Sequence, residues 1–216
     1  MKKSYLTKNL RNKNKINVIL ASAIAVLLIA IIVTILNQDT NKLTGKSSLD
    51  SQNKSSQDDF IRKVEQSLHY HANIIRKSQG IPQLEFDNKL AEIARAHSKD
   101  MAENNYLAHE NRVGEGATER AKKAGYNITK TFSGGRQSNY IQENAGVTYI
   151  YKSKSEENGT TIYNWKTPDE IGKEMVDALL ASPSHRNHLL EKDATKEGVG
   201  AAIDKENLLY FTQMFW

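Results

Sequence analysis

TPDEIGKEMVDALLASPSHRNHLL, residues 167–190, is the stretch on which the fold turns. Thr167 can cap a helix, Pro168 suits its first position, and Asp169 and Glu170 place acid in the first turn. These start signals predict a helix running to about Ala181. Pro183 breaks it, and a second short helical turn begins, carrying His185 and His188.

Upstream, Phe60, Val64, Leu68, Ala72 and Ile75 recur at helical spacing, with Asp58 or Asp59 as cap and Gly80 and Pro82 as the stop. Asp87 opens a second helix whose apolar stripe includes Leu90, Ile93, Ala94, His97 and Met101. A short helix over 117–124 ends at Gly125. Strand-like runs lie at 147–151 and 160–165, and Gly198–Ile203 with Leu208–Trp216 reads as a hairpin around a polar turn. Helices mixed with mostly antiparallel strands predict an α+β domain over residues 60–216.

Composition narrows the chemistry. The absence of cysteine removes disulfide scaffolds, thiolate metal sites and thiol nucleophiles. The net charge of +5 comes from residues 1–15, which hold six of the 30 basic residues and no acid, leaving 24 basic against 25 acidic residues elsewhere. The folded part has no basic excess for a phosphate backbone, so nucleic acid is not an expected partner.

Residues 16–36, INVILASAIAVLLIAIIVTIL, carry no charge and would span about 30 Å as a helix, the thickness of a hydrocarbon core. The basic flank before them predicts a single-pass anchor with residues 1–15 cytoplasmic and the C-terminal domain extracellular. The expected partner of 16–36 is therefore the lipid bilayer. Residues 37–59 hold two apolar residues and no aromatic, and read as a flexible linker.

No HExxH, G-x-S-x-G or P-loop occurs, and Gly114-Glu115-Gly116 fails the dinucleotide pattern at Glu119. Six histidines remain. His69 and His71 read as structural or solvated, His97 as a core residue with one hydrogen bond, and His188 as exposed. His109 and His185 lie at irregular junctions, where scaffolds display functional groups.

Seven elements occur in an order that resembles the CAP superfamily (SCP domain), in its prokaryotic form: Asn73–Arg76 with Gly80–Leu84; Ala96–Ala102; Tyr106–His109; Glu119–Tyr126; Glu143-Asn144-Ala145; Ser182–Leu190; and Gly198–Gly200 with Tyr210–Gln213. The resemblance implies an α-β-α sandwich with a three- or four-stranded antiparallel sheet between helical layers. It also implies a cleft in which His109, Glu143 and His185 match three of four family positions, the fourth, acidic in the family, falling near Ser182. Those three residues are the expected metal ligands, and zinc is the cofactor the resemblance implies. Glu143 can equally be read as a buried carboxylate organising nearby loop amides, and Arg186 as a brace of the fold. Residues 127–142 and 151–166, with Tyr140, Tyr149, Tyr151, Tyr163 and Trp165, are expected to pack on a sheet face or to line the cleft. The expected function is a non-catalytic binding module for an envelope ligand, lipid or protein. A metal-dependent hydrolase and a purely structural adhesion domain are the rivals.

Overall fold

A computed structural model describes residues 54–132 and 135–216. The expected cytoplasmic tail, membrane anchor and most of the linker lie outside the described residues, among which no helix is long and apolar enough to cross a membrane. The first helix, α1, covers residues 54–78 and so begins before the expected cap at Asp58 or Asp59. Residues 54–59, assigned to the linker from their composition, are helical but exposed; extending a formed helix is far easier than nucleating one.

Strand β1 (Glu85–Phe86) leads into α2 (Asn88–Asn104). Asp87 caps α2 by accepting from Lys89 N at 2.9 Å and Leu90 N at 3.0 Å. There follow α3 (Ala117–Lys123), the short pair β2 (Lys130–Thr131) and β3 (Gln137–Ser138), β4 (Gln142–Tyr149), and the hairpin β5 (Tyr151–Glu157) and β6 (Thr160–Trp165). Helix α4 (Pro168–Ala181) starts at the Thr167 cap its sequence predicts, closed further by Glu170 into a reciprocal capping box. Helix α5 (Pro183–Leu189), β7 (Lys196–Ile203) and β8 (Leu208–Phe215) complete the chain.

The main sheet has the order β1-β7-β8-β4. Strand β4 pairs β8 and β8 pairs β7 antiparallel, but β1 lies parallel to β7. The expectation of a wholly antiparallel sheet is corrected at that edge, where a long connection rather than a tight turn joins the two strands and permits parallel pairing. Alternation along β7 and β8 separates two cores. Val199, Ala201, Leu209, Phe211 and Phe215 pack with Val64 and Leu68 of α1, Ile171 and Met175 of α4, and Leu189 of α5. On the reverse face Met214 packs with Leu90, Ile93 and Ala94 of α2. Helices therefore cover both faces of the sheet, as an α-β-α sandwich requires.

Two residues brace this arrangement. Arg76, fully buried on α1, donates to the carbonyls of Pro82 (2.8 Å), Leu189 (2.9 Å), Glu191 (2.9 Å) and Ala194 (3.1 Å), tying the turn after α5 to α1. Arg186, expected in that role, is exposed and forms no ion pair among the described residues. Glu65 receives Arg95 in a two-pronged contact and accepts from Ala201 N at 3.0 Å, joining α1, α2 and β7.

Candidate functional site

Successive residues of a strand point to opposite faces, and the Glu143-Asn144 step of β4 uses this to gather two layers at one sheet edge. Glu143 points to the α2 side, where its Oε1 accepts from His109 Nδ1 at 3.0 Å and its Oε2 meets the Arg120 guanidinium. Asn144 points to the other side. There its Nδ2 donates to the His185 carbonyl at 3.1 Å, and its Oδ1 accepts from His188 Nδ1 at 3.0 Å. His188 Nδ1 also lies 3.0 Å from the Glu143 carbonyl oxygen. His188, read from sequence as exposed, instead pins α5 to β4.

His109 sits in the irregular segment between α2 and α3. Asn111 orders that segment by accepting from Val113 N (3.2 Å) and Glu115 N (2.8 Å). Arg120, on α3, closes it by donating to His109 O at 2.9 Å and Glu115 O at 2.7 Å. Its guanidinium thus holds both the backbone of His109 and the carboxylate that orients the ring. Nothing in local sequence marks Arg120 for this role beyond its place in the Glu119–Tyr126 element.

The His109 side chain is 57% exposed and that of Glu143 4%. Because the ionised carboxylate can only accept, Nδ1 of His109 carries the hydrogen and Nε2 is left with a lone pair when the ring is neutral. The Glu143 hydrogen bond raises the His109 pKa above its ordinary value, against burial and the Arg120 charge. Burial, followed by repulsion from His109 and His188, lowers that of His185. The two rings lie 6.3 Å apart between centres, inclined at 59°. A tetrahedral zinc held by both at about 2.0–2.1 Å would bring the ring centres to about 5 Å, so at 6.3 Å the two rings must close by about 1 Å to share one.

His109 and His185 are therefore brought together, while Glu143 lies behind His109 with both oxygens engaged. Among the described residues no three His, Cys, Asp or Glu side chains converge as a metal cluster. Glu143 backs His109 through Nδ1 instead of standing beside the two rings as a third donor. Electrostatics explains the difference: a buried carboxylate is held by the charged and hydrogen-bonding groups that make its burial tolerable, here Arg120 and His109. Ser182, at the position of the missing acid, has its Oγ 3.3 Å from that of Ser184.

The aromatic residues of 151–166 do not line this cleft. Their hairpin leaves the far end of β4, six residues and about 20 Å from Glu143. His69 and His71 also lie outside it, bound to Glu197 Oε1 at 2.5 Å and Asp169 Oδ1 at 2.9 Å.

His97 is 1% exposed, and its Nε2 donates to Ala108 O at 2.9 Å, the single bond expected of it. Burial and then the Arg120 charge lower its pKa. The unfolded chain therefore takes up a proton below about pH 6.5 that the folded protein resists, so this residue's contribution to stability falls as pH falls. The stability gap between wild type and His97→Gln is expected to narrow on acidification through that range in urea titrations. A gap that stays constant between about pH 5 and 8 would rule this out.

Comparison with known proteins agrees with this architecture. The family model for CAP, the cysteine-rich secretory protein family, matches residues 69–215. An uncharacterized membrane protein, YlbC, of Bacillus subtilis is 31% identical over 143 residues, which is 66% of this chain; the chain spans only 31% of that relative's length. An extracellular SCP-domain protein of Bacillus anthracis superposes with a TM-score of 0.51 at 24% identity, over 72% of this chain and 40% of that one. An outer surface protein of Borrelia burgdorferi gives 0.52 at 19% identity, over 72% of this chain and 92% of that one. With the family model matching well over half its length on this sandwich, the chain belongs to the CAP family, although it contains no cysteine.

Proposed function

We propose that this protein is a membrane-tethered CAP module displayed outside the cell, which binds rather than cuts, its His109–His185 cleft taking a divalent cation such as zinc or a small ligand. The apolar run at 16–36 and its basic flank support the tether, as does likeness to a membrane protein and to an extracellular one. The observation that carries the binding role is the His109 Nδ1–Glu143 contact at 3.0 Å. A carboxylate behind one imidazole nitrogen fixes the tautomer and leaves the other nitrogen to ligate. The same contact weighs against hydrolysis with Glu143 as base, since its side chain is buried against His109 and Arg120 instead of facing open cleft.

Calorimetry with Zn²⁺ on the full chain in detergent tests this reading. Wild type is expected to bind one ion, and His109→Ala with His185→Ala to abolish the heat. Glu143→Gln is expected to weaken binding by about 10–100-fold through its supporting role. Equal heats from wild type and the double variant would remove the cation from the proposal.

A further inference from the structure

The end of the sheet opposite the cleft carries an aromatic surface that no element among the described residues covers. Val147 and Tyr149 leave β4 40% and 49% exposed, and Trp165 on β6 is 50% exposed. Tyr149, Tyr151, Tyr163 and Trp165 form a continuous ladder, with ring centres 4.9 Å apart between the first two, 5.1 Å between Tyr151 and Tyr163, and 4.6 Å between Tyr163 and Trp165. None of the four joins the buried cores. Cross-strand ring contacts help an isolated two-stranded hairpin hold together, but they do not account for the width of outward apolar surface left in water.

The chain enters the domain at this same end. Ile150 N donates to Asn207 O at 3.1 Å and Lys166 N to Ile150 O at 3.0 Å, so the root of the β5–β6 hairpin rests on the β7–β8 turn. Asp204 and Lys205 of that turn line a groove with Gln57 and Asp58 at the start of α1. Residues 37–53 precede that helix, and as a coil they would reach about 20–25 Å. If residues 16–36 lie in a bilayer, a tether of that length would keep the aromatic end near it.

We infer that the Tyr149–Tyr151–Tyr163–Trp165 ladder, with Val147, is a lipid-contact surface that lays this end of the domain in the headgroup layer of the bilayer and leaves the His109–His185 cleft facing away. The inference rests on the anchored reading proposed above. Tyrosine and tryptophan combine an apolar ring with a polar tip, which suits them to the interface rather than the hydrocarbon. Lys154, opposite Tyr163 in the ladder, offers a cation to lipid phosphate, whereas Lys152 and Lys166 are paired with Glu170 and Glu174 at 2.5 Å. Glu156 and Glu157 keep the hairpin tip in water, so the contact is shallow. Stacked rings also suit sugars; the tether's attachment at this end favours lipid.

The test uses the full chain reconstituted in phosphatidylcholine–phosphatidylglycerol vesicles, with Trp216→Phe making Trp165 the sole indole. Quenching by lipids brominated near the headgroup and a loss of acrylamide quenching relative to detergent are expected, both diminished by Val147→Ser with Tyr149→Ser. If Trp216→Phe fails to fold, the difference between wild-type and Trp165→Phe emission gives the same readout. Acrylamide quenching unchanged from detergent, with no bromolipid effect, in a chain that still floats with the vesicles after alkaline carbonate would overturn the lipid contact alone. Release of the chain by carbonate would overturn the anchored reading and the inference with it. An emission shift seen only on adding soluble peptidoglycan fragments would make the ladder a glycan platform and overturn the lipid assignment.

Discussion

Replacing Arg120 by alanine is expected to cost about 3–5 kcal/mol of stability, the penalty of leaving one member of a buried ion pair uncompensated. The Arg120 and Glu143 side chains are 7% and 4% exposed, so water cannot take over the lost partner. Arg120 also donates to His109 O and Glu115 O, and both carbonyls would lose a charged donor. Urea denaturation of wild type, Arg120→Ala and the double variant Arg120→Met/Glu143→Leu reads this directly. The double variant is expected to recover most of the loss, because removing both charges leaves none stranded. It would still lose the cleft, since nothing then orients His109. A single-variant loss of about 1 kcal/mol or less would mean that the pair behaves as a surface salt bridge, and the buried support assigned to Glu143 would be wrong.

Gly200→Ala should be comparably severe for a different reason. A Cβ at Gly200 would stand 2.0 Å from Arg95 N and 2.4 Å from the Ala94 carbonyl carbon, and one at Gly198 would stand 2.2 Å from Ala91 N. These are backbone atoms, so no side chain can swing aside and α2 itself must lift from β7. Ordinary overpacking costs about 1–3 kcal/mol; this substitution is expected at or above the top of that range. Gly80→Ala supplies the contrast. Its φ of +68° disfavours a side chain, but nothing lies within 4 Å of the added carbon. It should cost only about 1–2 kcal/mol, from local strain without displacement of an element. Equal melting temperatures for the two variants would show that the helix does not depend on the bare strand beneath it.

Much of the architecture was legible because it is local. The Thr167 cap, the Asp87 cap, the break at Pro183 and the β7–β8 hairpin depend on residues a few positions apart, whose interactions the chain order already displays. The candidate cleft was legible only through the order of its seven elements. His109 and His185 were singled out individually by the irregular surroundings expected of them, although His185 proves to lie within α5, and no spacing rule connects positions 76 residues apart. The misread residues were His188 and Arg186, and of the two readings of Glu143 the buried carboxylate is the one its surroundings match, all three being polar groups whose part depends on what the fold brings against them. The parallel edge strand β1 was missed for the same reason, two residues being too few to carry a directional pattern.

The amino-acid order by itself determined where helices begin and end, which residues alternate into the sheet, and that a basic, charge-free and polar series precedes the domain. Those features arise from backbone sterics, capping and hydrophobic period, which act over three or four residues. Tertiary structure alone decided that Glu143 supports His109 from behind with Arg120 as its counter-charge, that Asn144 draws α5 to the same edge, and that the aromatic hairpin stands at the opposite end. Each of these is a contact between groups 18 to 41 positions apart or more, and the energy of a buried charge or an exposed ring is set by neighbours that only the folded chain supplies.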